Sequence, residues 1–174
     1  MKNDQFDECH IMIVWLDAHI GQQDNCRALK DKFRELTNSF RVASTVEECR
    51  SFLPQIKDRK VFFIIQGSLS EAIVPDIEQI IPDEMEPVVY LFCFDRAKYA
   101  NFGLEHPCII DRGQIYDHQD ELLDNLTTDL NKYACERIVD RARQELFSQF
   151  TKTFIQGVSY GFKIFNSPIV AVQN

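Results

Sequence analysis

Five short apolar runs, separated by stretches of helical periodicity, constrain this chain more than any other feature of its sequence. They are His10 to Leu16, Phe40 to Ser44, Lys60 to Gln66, Val88 to Phe94 and Cys108 to Asp111. Strands that alternate with helices are joined by crossovers rather than hairpins, which makes the sheet parallel and covers it with helices. The first, third and fourth runs (IMIVWL, VFFIIQ, VVYLFCF) are continuously apolar and rich in β-branched and aromatic residues. That composition suits strands buried on both faces, so they are expected at the centre. The second, FRVAS, alternates and carries Arg41, as an edge strand does. The expected fold class is α/β: a three-layer sandwich on a five-stranded parallel sheet.

The intervening segments carry helical stripes. Cys26, Leu29, Phe33 and Leu36 share one face behind Asp24, a plausible N-cap. Thr45 followed by Glu48 matches a capping box, with Val46, Cys49, Phe52, Leu53 and Ile56 as the apolar face and Pro54 interrupting it. Gly67-Ser68-Leu69-Ser70 reads as a turn before a short helix on Ile73, Ile77, Ile80 and Ile81, with Pro75 in its first turn. Asp95 to Leu104 gives a further short helix. Beyond it Leu123, Leu126, Leu130, Ile138, Ala142, Leu146 and Phe150 recur every three or four residues, the pattern of one long helix of about 45 Å. The expected organisation is an α/β domain over residues 8–120, a long helix over 121–150, and a tail over 151–174 that fits neither strand nor helix spacing alone, with Gly157 and Gly161 counting against a helix.

Several function classes are disfavoured. Nineteen Lys and Arg against 27 Asp and Glu leave a charge of −8, which repels a phosphate backbone, so no nucleic-acid partner is expected. The longest apolar runs hold six or seven residues, well short of the roughly 20 that cross a bilayer, so no membrane partner is expected. The polar start MKNDQFDEC and six scattered cysteines without a CxxC pair point to a reduced, cytoplasmic protein without structural zinc. Neither GxGxxG nor GxxxxGK[ST] occurs, and no cofactor is expected.

Open parallel sheets place ligands beyond the carboxyl ends of their strands. That rule selects Asp17 and His19, Thr45, Gln66 and Ser68, Asp95, and Asp111 with Arg112. Asp17, Ser68 and Asp95 are the ligand-binding candidates. Asp17 could bind a metal or a ribose, or simply cap its loop. Cys93 reads as a small hydrophobe inside a strand, no base is paired with a nucleophile, and no catalytic residue is assigned. Glu84-Met85-Glu86 has the Glu-x-Glu form of arginine-specific ADP-ribosyltransferases, but lies between Pro82 and Pro87 without that family's upstream strands, and reads as a solvated loop.

The strand–helix order, with Asp17 ending the first strand, resembles the response-regulator receiver and flavodoxin-like topology, which implies sheet order 2-1-3-4-5. The receiver's chemistry does not carry over. Its acidic pair, phospho-accepting Asp and Lys fall on Asp17-Ala18, Gln66-Gly67-Ser68 and Asp111-Arg112. Val14-Trp15-Leu16-Asp17-Ala18, Val46-Glu47-Glu48-Cys49, Val61 to Leu69, Ile73-Val74-Pro75 and Val89-Tyr90-Leu91-Phe92-Cys93 resemble an N-terminal module of multidomain rotifer proteins, over roughly residues 10 to 135. There it precedes an ADP-ribosyltransferase domain or tetratricopeptide repeats. That module carries no settled activity over, and a complete α/β core without an assembled active site is read as a non-catalytic interaction or regulatory module that binds a protein partner or an adjoining domain, with the long C-terminal helix as connector or docking surface. The alternatives are a small-molecule or nucleotide-binding domain using the strand ends, and a fragment of an ADP-ribosyltransferase.

Overall fold

The computed structural model describes residues 10–20, 24–109 and 114–165. Its elements are β1 (Ile11–Leu16), α1 (Asp24–Leu36), β2 (Phe40–Ala43), α2 (Val46–Phe52), β3 (Lys60–Gln66), α3 (Gly67–Ile80), β4 (Val88–Phe92), α4 (Arg96–Glu105), β5 (Ile115–Tyr116) and α5 (Gln119–Phe165). All strand pairs are parallel, in the order β2-β1-β3-β4-β5. This is the expected flavodoxin-like α/β fold, with the three continuously apolar strands inside and Arg41 on the edge.

Alternation along each strand sorts its side chains to two cores. Met12, Val14 and Leu16 with Val61, Phe63 and Ile65 face Cys49, Phe52, Ile73, Val74 and Ile77 of α2 and α3. Ile11, Ile13 and Trp15 with Phe62, Ile64 and Tyr90 face Leu29 and Phe33 of α1 and Leu122, Leu126, Leu130 and Ala134 of α5. Register aligns Ala43, Leu16, Ile65, Leu91 and Ile115 in one buried row across the sheet. The second core is the more aromatic: Phe33 meets Trp15 edge-on at 5.6 Å, and Phe62 stacks on Tyr90 at 6.5 Å. A partly buried bond ties the sheet to α5, as the Tyr90 hydroxyl donates to Asp129 Oδ2 at 2.6 Å.

Local chemistry explains the boundaries. Glu48 N donates to Thr45 Oγ1 at 3.1 Å while Glu48 Oε2 accepts from Ser44 N at 2.8 Å, a capping box shifted back one residue. Pro54 ends α2 at Phe52 and lies in a 3-10 turn, so the stripe to Ile56 is not one helix. The expected turn at Gly67 is instead the start of α3, which follows β3 with no loop. Pro75 therefore lies inside α3 rather than in its first turn. It is exposed, as is Glu71 four residues earlier, so water can solvate the carbonyl that loses its donor.

The fifth strand is corrected. Cys108 to Asp111 is the more apolar run, but the Ile109 amide closes a turn onto His106 O at 3.0 Å. The β4 edge then takes its acceptors from three places: Val89 N donates to Cys108 O, Leu91 N to Gln114 O and Cys93 N to Tyr116 O. Only Ile115–Tyr116 forms the ladder. Asp111 and Arg112 lie outside the described residues.

The chain divides into two compact units, Met1–Ala134 and Cys135–Asn174. Helix α5 contributes to both, starting before residue 121 and running to Phe165, beyond the end expected near residue 150. No helix among the described residues is long and apolar enough to cross a membrane.

Burial pushes the Cys49 thiol up to about 12, and burial with the nearby Asp129 charge pushes the Tyr116 hydroxyl up to about 12; Tyr90 moves in the same direction. Between the unfolded and folded pKa the folded state holds protons that the unfolded state has released, so stability falls as pH rises. Stability contributed by these groups should be intact below pH 9.0, fall from there as Cys49 is drawn in, and fall more steeply above pH 10.0 with the tyrosines. Urea midpoints from pH 7 to 11 test this. Cys49→Ala should remove part of the decline that begins near pH 9.0, the rest of it belonging to Cys93 and Cys108, whose thiols burial also raises, and a midpoint that stays flat to pH 11 would refute it.

Candidate functional site

Because β1, β3 and β4 end nearly level, the residues that follow them gather at one edge of the sheet. Asp17, Gln66 with Gly67, Cys93 and Asp117 follow or end four strands there and line a cavity of about 360 Å³. Ser68 of α3 and Asp95, Lys98 and Tyr99 around the start of α4 complete the wall, with Phe94, 99% exposed, on the rim. All three ligand-binding candidates, Asp17, Ser68 and Asp95, therefore line one cavity. Thr45 does not; it is the N-cap of α2.

Several of these groups already have structural work. Asp17 is buried, and its Oδ1 accepts from the His19 amide at 2.8 Å, with His19 Nδ1 at 3.5 Å. Gln66 Oε1 accepts from Ala18 N at 2.9 Å, joining the ends of β3 and β1. Asp95 is the N-cap of α4, its Oδ1 accepting from Lys98 N at 3.3 Å. Asp117 stands 3.6 Å from Arg96, which also reaches Glu121 at 3.3 Å, and Asp117 Oδ1 is buried without a hydrogen bond among the described residues. Gly67 forms the floor. A Cβ there would stand 2.7 Å from Cys93 Cβ and 2.8 Å from the Tyr99 ring.

Three carboxylates, Asp17, Asp95 and Asp117, face one ammonium, Lys98, so the wall favours cationic over phosphorylated ligands. Cys93 is not inside a strand as expected: β4 ends at Phe92, and the half-buried thiol donates to Asp95 O at 3.5 Å. Burial raises its pKa, which keeps it a thiol and a poor nucleophile near neutrality. No group of three or more His, Cys, Asp or Glu placed to hold a metal ion occurs among the described residues.

Asp117, Lys98 and Tyr99 were not legible as cavity residues. Asp117 follows the real fifth strand as Asp111 was expected to follow the supposed one, so locating β5 correctly would have found it. Lys98 and Tyr99 reach the cavity from the first turn of α4, one turn past the strand end that the topological rule examines.

A second cavity, about 680 Å³, opens at the opposite ends of the strands beside Lys60, Glu78 and Cys108. His106 Nδ1 lies 2.8 Å from Glu78 Oε2. Burial first, and then the Glu78 carboxylate, raise the Cys108 thiol, so this trio holds no activated nucleophile. Glu86, from the Glu-x-Glu motif, is exposed at this edge with φ 43 and pairs with Lys60 at 3.3 Å. Comparison of the chain with protein-family models, with curated proteins and with solved structures finds no match.

Proposed function

We propose that this chain is a receiver-like interaction or regulatory module, acting by binding a partner protein or an adjoining domain and not by phospho-relay or other catalysis. One observation carries the reading: within the second unit, α5 presents Ile138, Val139, Leu146, Phe147, Phe150, Phe154 and Ile155 to solvent, large apolar side chains of the kind that mark a contact surface. The strand ends agree with it. Where a receiver carries its phospho-accepting carboxylate, Gln66 is an amide engaged with Ala18 N. The likeness to the rotifer N-terminal module supports a role beside a further domain.

A photo-activated cross-linker at Phe150 tests this in cells that express the chain. Discrete protein adducts are expected there, and should be lost when the cross-linker is moved to Arg141 among the polar residues. No protein adduct from Phe150 would refute the reading. A second reading, a small-molecule or nucleotide site, is favoured by the convergence of Asp17, Ser68 and Asp95 on the strand-end cavity. A thermal-shift panel of nucleotides and divalent metals separates the two. A ligand at 100 times its Kd adds about 2.7 kcal/mol, and no shift across the panel removes the second reading.

A further inference from the structure

The strand-end cavity, at about 360 Å³, lies near the lower end of the range of about 300–1,000 Å³ for small-molecule sites. Its most buried carboxylate is Asp17, with a side chain 10% exposed. Oδ1 accepts from the His19 amide and has His19 Nδ1 at 3.5 Å, whereas Oδ2 makes no hydrogen bond among the described residues. Neither Asp17 nor Asp95 pairs with a lysine or arginine among those residues. A carboxylate taken out of water with one oxygen unmet gains from a positive partner.

The rest of the wall decides the sign and kind of that partner. Asp17, Asp95 and Asp117 face Lys98, and the first turns of α3 and α4 open on the same space. Each helix end adds about half a positive charge, which still leaves the wall about one unit negative. Arg96 does not line the cavity and is shared by Asp117 and Glu121. Lys98 is exposed and does not offset Asp17, because its ammonium lies 5.1 Å over the Tyr99 ring. A bare divalent ion finds no set of three His, Cys, Asp or Glu placed to hold it among the described residues. What the carboxylates share the wall with is aromatic. Phe92 and Tyr99 line it, and Phe94, 99% exposed, stands on the rim with its ring bare. Ring faces attract cations, and the Tyr99 ring already carries one, so rings beside a carboxylate suit an ammonium on an apolar body.

We propose that this cavity binds a small organic ammonium ion, its charge on Asp17 and its apolar body against Phe92, Phe94 and Tyr99; this rests on the reading of the cavity as a small-molecule site and names the ligand's class. Isothermal titration of the full chain at pH 7 with 2-phenylethylammonium, one ammonium and one ring, should give saturable binding. 3-Phenylpropionate, a similar ring and chain with the opposite charge, should give none. Asp17→Asn keeps an acceptor for the His19 amide and removes the charge, so it should weaken the amine by at least about 10-fold. Phe94→Ala removes a ring that packs on nothing, so it should weaken the amine about 3-fold and leave the urea transition unchanged. That variant carries the test if Asp17→Asn does not fold. Equal binding of the amine and the carboxylate, or amine binding indifferent to both substitutions, overturns the proposal. If the amine does not bind but ADP or magnesium raises the thermal transition, the ammonium falls and the small-molecule reading stands; no response to any of the three removes both.

Discussion

Phe63→Ala should cost about 4 kcal/mol of unfolding free energy. Phe63 is fully buried on β3, the middle strand, between Val14 of β1 and Val89 of β4. It shares its core with Phe52 of α2 and Val74 and Ile77 of α3, so truncation forfeits the transfer energy of the ring and leaves a cavity lined from both layers. Against a typical total stability of about 5–15 kcal/mol, this is a large fraction. Trp15 is the only tryptophan and is 1% exposed, so its fluorescence reports on this unit alone. With a urea slope of about 2 kcal/mol/M, the midpoint should fall by about 2 M. A loss below about 2 kcal/mol would show that α2 and α3 move in to fill the space.

Gly67→Ala should cost about 3 kcal/mol, at the upper end of the range for overpacking. The added methyl would meet Cys93 Cβ at 2.7 Å, which is fixed to the backbone just past β4, and the Tyr99 ring at 2.8 Å. Both neighbours are anchored, so relief requires α3 or α4 to move, and with them the floor of the strand-end cavity. The cause can be isolated by a double-mutant cycle. Cys93→Gly removes the closest atom, so the pair Gly67→Ala with Cys93→Gly should be more stable than the sum of the single losses by at least about 1 kcal/mol. Additive losses would show that the clash with Cys93 is not what destabilises the variant.

The first prediction concerns the part of the molecule that was most legible. IMIVWL, VFFIIQ and VVYLF announce buried strands because burial on two faces leaves no polar position in the run, and that property is local. The capping box at Thr45 is equally local: it needs one side chain and an amide three residues on. The start of α3 was not legible, because Gly67 resembles a turn residue. What requires glycine there is the approach of Cys93 and Tyr99, from 26 and 32 residues further along the chain.

By itself the sequence determined the fold class, which strands are central, which is at the edge, and that one helix outlasts the domain. These follow from the side-chain period and from residue types that can be buried only in one way. The tertiary structure decided the fifth strand and the electrostatics of the cavity. Ile115–Tyr116 is too short to carry a periodicity; it is a strand because the free edge of β4 supplies donors to it and to its flanks. Asp117 then joins Asp17 and Asp95, and Lys98 opposes them, through the close ends of parallel strands that lie far apart in the chain. Proximity of that kind is a property of packing, and no window of the sequence contains it.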